Sequence, residues 1–141
     1  MKRMLVLLAM VAMMSGCSLF NDDPDPTVKD AAVAAAQSWL KTIDEGGYAA
    51  SWDTAAGFFK RALAQGQWEQ SLTAVRTPLG ALVSRDLISA TYKTSLPGAP
   101  DGEYMVLQFK TSFENKRNAV ETVTPMKDED GAWRVSGYYI K

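Results

Sequence analysis

Apolar residues along this 141-residue chain follow three spacings, one after another. Met4 to Met14 is an unbroken apolar run. Between about Pro26 and Arg76 the apolar residues recur every three or four positions, which lines one face of a helix. From Asp86 onward they alternate with polar residues, as in a strand with one buried face.

The helical part predicts three segments. Asp25 and Pro26 offer an N-cap followed by Pro at the first helical position; Thr27 with Asp30 is a second capping option. Val28, Ala32, Ala35, Trp39 and Ile43 would share a face, and Gly46-Gly47 would end the helix. A second stretch runs from about Tyr48 to Ala64, with Trp52, Ala56, Phe59 and Leu63 on one side and Gly57 as a breaking point. A third runs from Gln67 to Arg76, with Trp68, Leu72 and Val75 on one side, closed by Pro78 and Gly80.

The alternating part predicts four strands. Asp86 to Ser95 carries Ile88, Ala90 and Tyr92 in alternation. A Pro- and Gly-rich turn from Leu96 to Gly102 follows. Glu103 to Phe113 puts Met105, Leu107, Phe109 and Phe113 on one face and Tyr104, Gln108, Lys110 and Ser112 on the other. Ala119 to Met126 and Trp133 to Ile140 complete the set, joined by the polar turns 114–118 and 128–131. Short turns between strands imply an antiparallel meander, and helices before strands imply an α+β domain with helices on one sheet face. Tyr138 and Tyr139 would point to opposite faces.

The leader has the parts of an export signal: Lys2 and Arg3, a short apolar run, then small residues. The run is too short to span a bilayer. Met14-Ser15-Gly16-Cys17 resembles the lipobox of bacterial lipoproteins, with Met where Leu is commonest. The resemblance implies cleavage between Gly16 and Cys17, a thioether-linked diacylglycerol on Cys17, and acylation of the new amine by a fatty acid such as palmitate. Two or more acyl chains make a stable membrane anchor, where one does not. Ser18, rather than Asp, would favour transfer to the outer membrane, facing the periplasm. The expected organisation is a signal peptide over 1–16, a lipidated Cys and flexible tether over 17–26, and one α+β domain over 27–141. The tether holds Asp22, Asp23, Pro24, Asp25 and Pro26 and would reach roughly 30 Å at about 3.3 Å per residue.

Composition narrows the chemistry. A formal charge of −1 gives no basic patch for nucleic acid. There is no His, which removes the commonest general base and metal ligand, and one Cys forbids an internal disulfide and a Cys-based zinc cage. No phosphate-binding glycine loop, nucleophile elbow or calcium-loop pattern is present, so no cofactor or metal is expected. Without His the usual activated serine cannot be built.

Several segments together resemble the bacterial domain-of-unknown-function 4019 family. They are Gln37 to Leu40, Tyr48 to Trp52, Val75 to Gly80, Pro100 to Tyr104, and Gly131 to Ile140, with the likeness covering about 30–141. The resemblance implies a curved four-stranded sheet covered by helices, in the cone-shaped fold of nuclear transport factor 2 and the ketosteroid isomerases. Fold likeness carries no activity with it.

Three residues are candidates for pocket chemistry. Glu121 either pairs with Arg134 across two strands on the outer face or faces the cone, where burial would favour its protonated form and let it act as an acid or base. Asp53, beside Trp52, is either a solvent-facing helix residue or a second carboxylate. Tyr92 would assist either one. Arg76 would bind an anion or satisfy helix-end carbonyls. The four Trp would pack the core or line a pocket. The leading expectation is a non-catalytic envelope lipoprotein that binds a partner protein or small ligand. The alternatives are an isomerase, dehydratase or hydrolase built on Glu121 or Asp53, and a spacer or chaperone that forms a homodimer through its sheet face.

Overall fold

The computed structural model describes residues 24–141, so the leader, the Cys17 site and the tether up to Asp23 lie outside the described residues. The chain begins with α1 (Pro26–Asp44), α2 (Tyr48–Asp53), α3 (Gly57–Ala62) and α4 (Gln65–Leu79). It continues with β1 (Leu82–Lys93), β2 (Tyr104–Phe113), β3 (Lys116–Lys127) and β4 (Trp133–Ile140). The strands form one antiparallel sheet in the order β1-β2-β3-β4. This is the α+β arrangement of helices followed by a meander.

Helix α1 starts where the capping residues place it. The Asp25 carboxylate accepts the Thr27 N–H at 2.9 Å, and Pro26 occupies the first turn, where a missing N–H costs nothing. Its buried residues are Ala32, Ala36, Trp39, Leu40 and Ile43. Ala35, expected inward, is only partly buried, because the stripe turns toward Ala36 and Leu40. Gly46, at φ 83°, lets the chain reverse into α2.

The second helical stretch breaks over Thr54–Ala56 into α2 and α3. Ala55 and Ala56 are fully buried there, and the Ala56 N–H donates to the Val135 carbonyl at 2.8 Å. The linker therefore covers part of the outer edge of β4, an edge that would otherwise be open for pairing. Helix α4 buries Trp68, Leu72 and Arg76, four residues apart, whereas Val75, expected on that face, is 46% exposed. The inward position one residue later belongs to a charged side chain.

Strand β1 starts at Leu82, earlier than expected, because the chain pairs with Phe113 there. A register shift between Leu87 and Ser89 adds one residue to β1. Such a bulge switches which residues point inward. Leu87, Ala90 and Tyr92 pack toward the helices, while Ile88, expected inward, is 55% exposed. On β2, Met105, Leu107, Phe109 and Phe113 are buried, as the alternation predicts. Tyr104, on the other parity, is buried too, against Ala56 and Met126, and its hydroxyl donates to the Pro100 carbonyl. Tyr138 packs against the core while Tyr139 is exposed.

The helix-to-sheet core is aromatic. Trp39, Trp68 and Tyr138 form a cluster with centroid separations of 5.3–6.5 Å, and Phe59 meets Trp68 edge-on at 4.9 Å. Ser51, fully buried in α2, ties the two indoles together. Its carbonyl accepts from Trp39 Nε1 at 2.8 Å and its hydroxyl oxygen from Trp68 Nε1 at 2.9 Å. Its own hydroxyl donates to the Tyr48 carbonyl at 2.6 Å.

Candidate functional site

Glu121 is the charged residue that the sheet buries most completely. Its register partner on β2 is Phe109, an inward-facing residue, so its side chain lies beneath the helices with no exposure. Every side chain around it comes from a different element. Arg85 on β1 donates to it through Nε at 2.6 Å and Nη2 at 3.2 Å. The Thr111 hydroxyl on β2 donates at 2.5 Å, and the Tyr138 hydroxyl on β4 donates to Oε2.

Arg85 spans two carboxylates. Its Nη1 and Nη2 also donate to Asp44, the last residue of α1, at 2.7 and 3.0 Å. Asp44 in turn accepts from Arg76 Nη2 on α4 at 3.0 Å. The guanidinium carbon of Arg76 lies 4.7 Å from the Phe113 ring centroid, and its Nε and Nη1 are buried without a hydrogen-bond partner. Two guanidinium groups and two carboxylates thus form a charge-balanced quartet linking α1, α4, β1 and β3. Thr111 and Tyr138 extend it to β2 and β4.

The electrostatics follow from this geometry. Burial alone would lower the pKa of Arg85, but the hydrogen bonds and charges of Asp44 and Glu121 outweigh it and hold the guanidinium above its ordinary value. Burial, and then the adjacent Glu121 charge, push the Tyr138 phenol well above the usual tyrosine range. At neutral pH Tyr138 is therefore a hydrogen-bond donor, matched to an acceptor.

The expected candidates fall in three separate places. Glu121 faces inward, and no Glu121–Arg134 pair forms. Arg134 instead holds the β3–β4 turn, donating to Asp130 through both Nη atoms at 2.7 Å and to Asp128 at 3.2 Å. These bonds hold the Asp130 carboxyl well below its usual range. The backbone N–H groups of Gly57 and Glu129, with Arg134, lower Asp128. Asp53 is exposed at the end of α2 and accepts from Gln65. Tyr92 donates to Glu103 at 3.0 Å. Its register partner is Met105, four residues along β2 from the partner of Glu121, or about 14 Å. Arg76 takes neither expected role, since its partner is Asp44.

Sequence reasoning missed Asp44 and Arg85, and it gave Arg76 another role. One signal was available for Arg76: it sits four residues after Leu72 and eight after Trp68, on the buried face. Arg85 lay between Gly80 and Asp86, outside the predicted elements.

Two surface depressions flank β4. A groove of about 220 Å3 lies between α4 and β4, lined by Trp68, Leu72, Val75 and Tyr138 among others. A notch of about 260 Å3 lies between α1 and the start of β4 and includes Trp39, Trp133 and Arg134. Glu121 lines neither.

The fold defines a class: a small α+β domain with its helices on one face of an antiparallel sheet and a buried ionic cluster between the layers. Residues 35–138 match the family described as protein of unknown function (DUF4019), and the chain belongs to that family. No curated protein and no solved structure matches it.

Proposed function

We propose that this is a lipid-anchored envelope protein whose α+β domain binds a partner or small ligand without catalysis. The observation that carries the non-catalytic reading is the occupancy of Glu121. Its two oxygens accept four hydrogen bonds, two of them from Arg85, which also neutralises it. A carboxylate so engaged ties the four strands together rather than serving as a base awaiting a proton. Tyr92 lies about 14 Å from it along the sheet, and Asp53 is exposed at the end of α2 with Gln65 as its partner.

The anchor reading rests on Lys2-Arg3, the apolar run, and Met14-Ser15-Gly16-Cys17. Lipid on Cys17, cleavage after Gly16, and Ser18 beyond them favour the periplasmic face of an outer membrane. Among the described residues no helix is long and apolar enough to cross a membrane. From Thr27 onward positive and negative charges are equal in number. A neutral domain has little attraction to an anionic bilayer, so the tether would hold it clear of the lipid surface. The order of helices before a four-stranded meander also agrees with the cone of the nuclear transport factor 2 type.

Incubation of the full-length protein with envelope extract tests the binding reading. Molecules retained by the protein and recovered chemically unchanged support it. Consumption of an extract component by wild type, but not by a folded Glu121→Gln variant, overturns it in favour of an enzyme. For the anchor, wild type should incorporate labelled fatty acid, and Cys17→Ser should remain an unlabelled, uncleaved precursor.

A further inference from the structure

The four indoles are treated unequally. Trp39, Trp52 and Trp68 donate their Nε1–H groups to Ser51, Leu63 and Ser51 respectively, at 2.7–2.9 Å. The Trp133 Nε1–H donates to no protein group among the described residues, and Trp133 is the half-buried indole that lines the notch between α1 and β4. Ser38, Thr42 and Thr54 also line the notch. Thr42 and Thr54 already donate their protons to the carbonyls of Ser38 and Ala50, at 3.2 and 3.0 Å. Their oxygens keep lone pairs that can accept. Ala35, Trp39, Val135 and Arg134 complete the lining.

Charge at the rim excludes two classes of ligand. Arg134 is the cation of the lining, but Asp128 and Asp130 already hold it, and Glu129 adds a third acid to the turn. An anion would have to compete with two carboxylates. An ammonium would meet the Arg134 guanidinium, and no carboxylate lines the notch to hold it. The lining suits a neutral molecule with an apolar ring face for Trp133, an acceptor oxygen for its N–H, and hydroxyl protons for the threonine oxygens. At about 260 Å3 the notch falls just below the size of drug-binding pockets, which run from about 300 Å3.

The geometry points to the Trp133 notch as a binding site for a single pyranose ring, either a free monosaccharide or the terminal residue of a glycan. This deepens the binding reading above and rests on it.

The test uses full-length protein in a zwitterionic detergent without a sugar headgroup. The probes are methyl glucoside, a glucose-terminated oligosaccharide, inorganic phosphate and tetramethylammonium. Indole N–H signals in nitrogen-15 NMR spectra report each tryptophan separately. The expected result is a saturable shift of the Trp133 signal with a sugar, with phosphate and tetramethylammonium inactive. A response to methyl glucoside assigns the free ring, and a response to the oligosaccharide alone assigns the glycan terminus. Trp133→Phe, its affinity read by titration calorimetry because the Trp133 signal is gone, keeps an aromatic face and should weaken binding about five- to tenfold through the lost N–H. Trp133→Ala should abolish it, with the other three indole signals reporting that each variant is folded. An unmoved Trp133 signal up to the solubility limit of both sugars overturns the proposal. So does preference for either ion, or wild-type affinity in both variants. If sugars fail while unaltered envelope molecules are still retained, only the ligand class falls; if nothing is retained either, the binding reading falls with it.

Discussion

Replacing Arg85 with Met tests whether the quartet holds the layers together. Met keeps most of the apolar stem and removes the guanidinium, and with it four hydrogen bonds of 2.6–3.2 Å. Asp44 retains Arg76 at 3.0 Å, so it keeps a partner. Glu121 does not. Its side chain has no exposure, and only the Thr111 and Tyr138 hydroxyls remain to it. Leaving one charge of a buried pair uncompensated costs about 3–5 kcal/mol. For a domain of this size that is a fall in Tm of roughly 10–25 °C. The double variant Arg85→Met with Glu121→Leu removes both charges and should recover most of the loss, because apolar replacement of a buried pair is often close to neutral. Urea unfolding of wild type, both single variants and the double variant measures the coupling directly. A loss below about 1 kcal/mol for Arg85→Met, or additive single losses, would show that the pair is not a structural keystone.

Four further outcomes follow from the same contacts. Tyr138→Phe removes a donor to a buried charge and should cost about 1.5–3 kcal/mol in chemical unfolding; in wild type, the raised pKa means that the Tyr138 absorbance should not titrate with ordinary phenols until the fold opens. Ser51→Ala leaves the Trp68 N–H unpaired in the core and should destabilise by about 1–3 kcal/mol, with a change in tryptophan fluorescence. Gly80 sits at φ 75°, and a Cβ there would meet Glu114 Oε2 at 2.9 Å, so Gly80→Ala should cost more than about 1 kcal/mol in thermal unfolding. The lowered pKa of Asp128 means that the folded state binds its proton less readily than the unfolded chain. Its stabilisation is therefore present above about pH 4 and lost as pH falls through the folded value. Asp128→Asn should flatten the loss of stability between pH 5 and pH 2; an unchanged slope would show that Asp128 is not part of it.

Element order and the main buried residues could be read from spacing alone because each buried face repeats locally. Trp39, Trp68, Leu72, Leu107 and Phe109 are inside for the reason that periodicity gives. Three features could not be read that way. The bulge at Leu87/Ser89 reverses the alternation of β1, and nothing in the order of residues signals an extra residue in a pairing. The burial of Tyr104 depends on Ala56, nearly fifty positions away. The quartet joins Asp44, Arg76, Arg85 and Glu121 across four elements, so no short motif encodes it. Charged residues on a helix face usually mark solvent, yet Arg76 is buried. The inward placement of Glu121 was one of two faces left open by the sequence, and register with Phe109 decides it.

The anchored-domain account is tested most directly by intact-mass analysis of the protein isolated from its native cell. It predicts a chain that begins at Cys17 and carries a diacylglyceryl group and an amide-linked acyl chain. A chain that still contains residues 1–16, with an unmodified thiol at Cys17, would contradict it.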